Sequence, residues 1–247
     1  KMKIPLLFMI LAGTLIPVHA QRTGQHLIDS LLAELPKAKE DSGKVDLLNA
    51  LSRELINLPD DGKAMQYASD ALLLSLTLAV PIGEAKAYNN RGLASSDQGE
   101  YAEALREHDM ALKIRERIGD KAGIGDSYYD IAAIYDAQGK YPDALAYYSL
   151  SFGLFDQLGD KRAMAQTFNN IGLVYSESDN YPKALENYFA GLSIYQGIGV
   201  GTEEDKIAVS AIYQGIGGVY QDRGNYSKAM ENYSLALKEE KPTSNRS

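Results

Sequence analysis

Apolar and small residues return at intervals of three and four along most of the chain, and short breaks rich in Gly and Asp punctuate them. Tyr128, Ile131, Ala132 and Tyr135 keep the spacing that lines one face of a helix. Gly139-Lys140-Tyr141-Pro142 interrupts it, with a glycine suited to the left-handed position at a helix end and a proline where the next helix would start. Ala144, Tyr147, Tyr148 and Phe152 supply a second face, closed by Gly159-Asp160. Gly119-Asp120 sits at the same point one unit earlier, a stop followed by a capping acid. No alternating β-branched run of useful length occurs. The pattern predicts an all-α chain of helix pairs.

The pairs repeat. Tyr88-Asn89-Asn90-Arg91-Gly92 aligns with Tyr128 to Ala132, with Phe168 to Gly172 and with Tyr213 to Gly217. The small residue thus falls at 92, 132, 172 and 217, and a weaker copy puts Ser52 in register, for spacings of 40, 40, 40 and 45. The longer interval holds an insertion near Gly199-Val200-Gly201-Thr202. Other columns keep phase: Tyr101, Tyr141, Tyr181 and Tyr226, then Ala104, Ala144, Ala184 and Ala229, then His108, Tyr148, Tyr188 and Tyr233. Several columns in phase mark a repeat array. Helices approach closely where side chains are small, so Gly92 and Gly172 are expected to face Ala104 and Ala184. The Tyr stripe reads as core, with hydroxyls that need partners once buried, and His108 reads as one more packing residue.

These columns resemble the tetratricopeptide repeat, whose pattern is aromatic, Leu, Gly and Tyr on a first helix, then Gly-x-Tyr, then Ala on a second. Tyr88, Gly92, Gly99, Tyr101 and Ala104 carry the match, as do Phe168, Ile171, Gly172, Tyr175, Tyr181 and Ala184, and Tyr213, Ile216, Gly217, Tyr220, Gly224, Tyr226 and Ala229. The unit here is 40 residues rather than the family's usual 34 and lacks its late Pro. It is similar to the long-helix subclass seen in kinesin light chains and bacterial sensor proteins. The resemblance implies a right-handed superhelical solenoid of antiparallel helix pairs, about five repeats over residues 44–240.

The flanks read differently. Lys1 and Lys3 precede an apolar run from Leu6 to Ile16, and Val18-His19-Ala20 offers small residues before Gln21. That run rises about 16 Å as a helix, against roughly 30 Å of bilayer core. Residues 1–20 are expected to be a secretory signal peptide, which sends the chain to the periplasm or exterior. Lys1 ahead of Met2 suggests a fragment of a longer reading frame. Residues 21–43 are expected to hold a lead helix covering the first repeat, its apolar face made of Leu27, Leu31, Leu32 and Leu35. After the last helix, about Tyr226 to Glu239, residues 241–247 read as a disordered tail or the start of a downstream region.

Composition narrows the function. The chain has 247 residues, 45% hydrophobic, with no Cys, which excludes disulfides, thiolate metal sites and a cysteine nucleophile. Three His make a multi-histidine metal site improbable, so neither metal nor cofactor is expected. A net charge of -8 is a poor match to a phosphate backbone, so no nucleic-acid partner is expected. Walker, zinc-protease, nucleophile-elbow and EF-hand motifs are absent. Gly197-Ile198-Gly199-Val200-Gly201 falls at a repeat junction with no strand before it, so it is no phosphate loop. Asp126, Asp130 and Asp136 share one helix, where such acids are usually solvated, and no enzymatic activity is expected.

What remains is a surface. In the family's register the inner face is formed by Lys86, Asn89, Asn90, Leu93, Asp126, Tyr129, Asp130, Ala133, Gln166, Asn169, Asn170, Leu173, Gln214 and Gln221. The paired Asn residues offer a donor and an acceptor each. They suit either the main chain of an extended peptide or a bond between neighbouring repeats. Only Lys86 is basic there, which argues against a clamp for a peptide's terminal carboxylate. The expected role is a non-enzymatic binding scaffold for a protein or extended peptide. The alternative is the sensor part of a histidine kinase or nucleotide cyclase whose effector domain and membrane tether lie downstream. Exposed terminal units leave room for weak self-association.

Overall fold

The computed structural model describes residues 18–58 and 60–239. The expected signal peptide lies, up to residue 17, outside the described residues, as does the tail 241–247. Among the described residues there are eleven α-helices, one 3-10 turn and no strand. They divide after Ile114 into two compact units.

The first unit contains α1 (Val18–Glu34), α2 (Ser42–Asn57), α3 (Asp61–Leu78), α4 (Pro81–Asp97) and most of α5 (Tyr101–Ile118). Asp41 and Asp60 cap α2 and α3 by accepting from backbone N–H groups of the first turn. α1 packs on α2, but it buries only half of the Leu face expected and adds Ile28. Ile28 is 3% exposed and lies with Leu31 and Leu35 against Leu51, Leu55 and Ala64, whereas Leu27 and Leu32 are exposed. Pro36 ends the lead helix in the 3-10 turn Leu35–Lys37, inside the expected segment 21–43. Ser52 does stand in register: its Oγ donates to the Ala64 carbonyl at 2.8 Å, tying the small column of α2 to the Ala column of α3.

The second unit contains the end of α5, then α6 (Lys121–Ala137), α7 (Tyr141–Leu158), α8 (Lys161–Glu177), α9 (Tyr181–Ile198), α10 (Glu203–Asp222) and α11 (Tyr226–Glu239). Consecutive helices pair as α6/α7, α8/α9 and α10/α11, and the first helices α6, α8 and α10 are neighbours. Asp120 and Asp160 cap α6 and α8, as the Gly-Asp breaks predict. Asp179 takes the left-handed conformation (φ 58) at the end of α8, where the corresponding residues 99, 139 and 224 are glycine.

Gly92, Ala132, Gly172 and Gly217 occupy equivalent places on α4, α6, α8 and α10, and at the three glycines a ring lies closest to the notch. A Cβ on Gly92 would lie 2.7 Å from the His108 ring, one on Gly172 2.8 Å from Tyr188, and one on Gly217 2.6 Å from Tyr233. The atoms nearest each missing Cβ thus belong to a ring sixteen residues on. Edge-on rings need a flat floor, and a missing Cβ supplies it. His108 is fully buried in this role.

The longer repeat interval is absorbed in two places. α10 has 20 residues where α4, α6 and α8 have 17, and the connection before it runs over residues 199–202 instead of two residues. Asp205 holds this segment. Its carboxylate accepts from Gly201 N and Thr202 N at 3.1 Å each, closes a capping box with Thr202, and takes Arg162 in a bidentate pair at 2.7 and 3.1 Å. These bonds hold the Asp205 carboxyl far below the usual carboxylate range, with Arg162 the largest cause.

Candidate functional site

The second unit carries a pocket of about 260 Å³ between α6, α8, α9 and α10. Tyr129 comes from α6, Ala165, Gln166, Asn169 and Asn170 from α8, Tyr195 from α9, and Ala208 and Ile212 from α10. The four α8 residues share a face because of the three-and-four spacing. α6 and α10 flank it because the first helices of successive repeats stack side by side.

Its polar groups form a connected set. Asn169 Nδ2 donates to Asn170 Oδ1 at 3.3 Å. Asn170 Nδ2 donates to the Tyr129 hydroxyl at 2.7 Å and to the Tyr148 hydroxyl at 3.2 Å. Burial pushes the Tyr129 phenol up to about 12; Asp130 adds to the rise and Asn170 opposes it. Burial also raises Tyr148 and Tyr195. The Gln166 amide beside Tyr195 offsets part of that rise. No lining residue carries a formal charge. Arg162, which influences Tyr195, is bound to Asp205.

Of the residues expected on the inner face, four meet here: Tyr129, Gln166, Asn169 and Asn170. Asp126, Asp130, Ala133, Leu173, Gln214 and Gln221 belong to the same unit but do not line the pocket. Asp126, Leu173, Gln214 and Gln221 are exposed, Asp130 and Ala133 half-buried. Gln221 Oε1 accepts from the Tyr233 hydroxyl at 3.0 Å. In the first unit, Lys86 is exposed and pairs with Asp46 at 3.0 Å, and Leu93 is half-buried. Asn89 and Asn90 are each only 6% exposed. Asn90 Nδ2 donates to the Asn49 carbonyl at 2.9 Å, so its amide bonds the neighbouring repeat. Tyr195 was not foreseen. It sits twenty-three residues after Gly172, in a column filled elsewhere by Ser75, Arg115 and Phe155, so no shared chemistry announces it.

Known proteins bear the same architecture. The tetratricopeptide repeat family matches residues 83–157. Over that stretch the chain carries the tetratricopeptide repeat pattern. The chloroplastic protein FLUORESCENT IN BLUE LIGHT of Arabidopsis thaliana is 30% identical over 112 residues, 45% of this chain. The match spans about a third (34%) of that relative's length. BtubC (BKLC) from P. vanneervenii shares the fold with a TM-score of 0.67 at 20% identity, over 92% of this chain and 94% of that one. A Rap protein complexed with Competence and Sporulation Factor gives a TM-score of 0.69 at 14% identity, over 89% and 71%. The chain is thus an all-α repeat scaffold with a tetratricopeptide-like fold. Among the described residues no helix is long and apolar enough to cross a membrane, and no group of three or more acidic, His or Cys residues could hold a metal.

Proposed function

We propose that this repeat scaffold binds a protein or extended peptide through the α6, α8 and α10 face of its second unit, without catalysing a reaction. The pocket carries the reading: half-buried amides and a phenol open onto it, with exposed Gln166 at the side. The structurally similar Rap protein, seen in complex with Competence and Sporulation Factor, supports the same use of such an array. The test is a displayed random-peptide library panned against the chain, followed by Kd measurements on the recovered peptides. The double variant Gln166→Ala, Asn169→Ala is expected to bind about tenfold or more weakly, the loss of one or two hydrogen bonds to a ligand. Equal affinity, or no recovered peptide, rejects the reading.

We further propose export, as the interaction or sensor region of a signalling protein. The support is in the sequence: paired lysines, the short apolar run Leu6 to Ile16 and the small residues before Gln21. A reporter fused after residue 30 should leave the cytoplasm with residues 1–20 removed; a retained, uncleaved fusion rejects export. Sequence downstream of Ser247 that encodes an apolar span and a kinase or cyclase domain would establish the sensor reading, and a stop codon there would reject it.

A further inference from the structure

We infer that the pocket of the second unit recognises an uncharged primary amide, the side chain of an Asn or Gln in the bound peptide. This rests on the reading of the pocket as the peptide site.

The argument is an account of donors and acceptors. Asn170 is spent: Nδ2 donates to Tyr129 and Tyr148, and Oδ1 accepts from Asn169. Because the Tyr129 oxygen already accepts from Asn170, its O–H is left to donate. The pocket therefore presents a donor. Asn169 has committed one N–H of its amide, so its Oδ1 is left as an acceptor beside the second N–H, and Gln166, bonded to Tyr195, adds another amide at the exposed side. A donor and an acceptor facing one space match the C=O and NH₂ of a primary amide.

Charge decides against the alternatives. A carboxylate would meet no cation in the lining, since Arg162 is held by Asp205, and Asp130 adds negative potential beside Tyr129. An ammonium would exchange its hydration for two phenols and three amides, with no carboxylate in the lining. Size agrees as well. About 260 Å³ lies just under the roughly 300–1,000 Å³ of small-molecule sites and suits one side chain of moderate length. Ala165, Ala208 and Ile212 wall it with apolar surface for the ligand's methylenes.

The test uses three probes of similar length, butyramide, its isostere butyrate, and butylammonium, titrated while the methyl shifts of Ala165, Ala208 and Ile212 are followed by NMR. Butyramide should move these methyls saturably and bind about tenfold or more tighter than either charged probe, because sites built for a hydrogen-bonding group reject ligands that leave it unpaired. Tyr129→Phe keeps the ring and should lose about tenfold for butyramide alone, while the core methyls of Val209 stay where they are. Equal or tighter binding of a charged probe, an unaffected Tyr129→Phe chain, or no shift with any probe overturns the inference. If the probes bind alike while library peptides still lose affinity in the Gln166→Ala, Asn169→Ala chain, the amide preference falls and the peptide site stands.

Discussion

Asn170 reaches back 41 residues to donate to the Tyr129 hydroxyl at 2.7 Å, and Asn90 reaches back the same 41 to donate to the Asn49 carbonyl at 2.9 Å. Each Asn stands two residues before the small residue of its repeat, and each acceptor three before that of the preceding one. The consequence differs because the acceptor differs. Asn90 closes on a main-chain carbonyl and both groups are buried, whereas Asn170 holds a phenol whose far side opens to the pocket. Asn90→Ala should therefore destabilise the chain by about 1–2 kcal/mol, the cost of a lost buried hydrogen bond, and leave affinity for library peptides unchanged. Urea titration and peptide Kd on the same variant check both halves.

The ring-in-notch packing makes two glycines behave oppositely. Gly153 lies inside α7 with open space where a Cβ would go, so Gly153→Ala should stabilise by about 0.5–1 kcal/mol through helix propensity. Gly172→Ala gains the same propensity but drives a Cβ to 2.8 Å from Tyr188, a ring that is only 2% exposed. Overpacking of about 1–3 kcal/mol should win, giving a net loss. Chemical denaturation of the two variants side by side decides it. If Gly172→Ala were as stable as Gly153→Ala, the notch would be unimportant.

Asp205 predicts an acid-dependent clamp. Its folded pKa is depressed by Arg162 and by the Gly201 and Thr202 amides, so its stabilisation is fully present above the unfolded value of about 4 and fades as pH falls toward the folded one. Asp205→Asn should cost about 2 kcal/mol at pH 7, the scale of hydrogen bonds to a charged group. The gap between variant and parent should begin to narrow as pH falls below about 4. Thermal melts from pH 7 down to pH 3 measure it, and a gap independent of pH would contradict the assignment.

Asp136 predicts the opposite slope. It is half-buried on α6, its Oδ1 is shut away from solvent with no hydrogen-bond partner, and Tyr148 and Tyr188 lie near it. Burial pushes its carboxyl up to about 7, and Glu177 on α8 adds to the rise. An acid raised on folding binds its proton more tightly in the folded chain. Its cost is then absent below about pH 4, grows between about pH 4 and about 7, and is complete above. Asp136→Asn should stabilise by about 1 kcal/mol at pH 8, a figure reduced for the side chain's partial exposure, and make no difference at pH 4. Melts of both chains at the two pH values test this.

The fold was legible because repetition multiplies a weak signal. One copy of Gly, Tyr and Ala at these spacings means little, but the same columns at 92, 132, 172 and 217 leave few ways to stack the helices. Helix ends were readable for the same local reason, since Gly-Asp stops a helix and caps the next without help from distant residues. The lead helix was harder. Leu27 and Leu32 look as apolar as Ile28, and which of them α2 covers depends on the helix crossing.

By itself, then, the sequence determined which segments are helical, where each starts and stops, and that the hairpins recur in one register, all consequences of contacts within a turn or between adjacent helices. Tertiary structure alone decided the fate of the inner-face residues. Asn89 and Asn90 share their register with Asn169 and Asn170, yet the first pair is buried and the second borders a pocket. The difference comes from non-repeating residues such as Tyr129, Tyr195 and Ile212. Their side-chain volumes and hydrogen-bonding atoms meet only when separate helices pack, and no periodicity along the chain encodes that meeting.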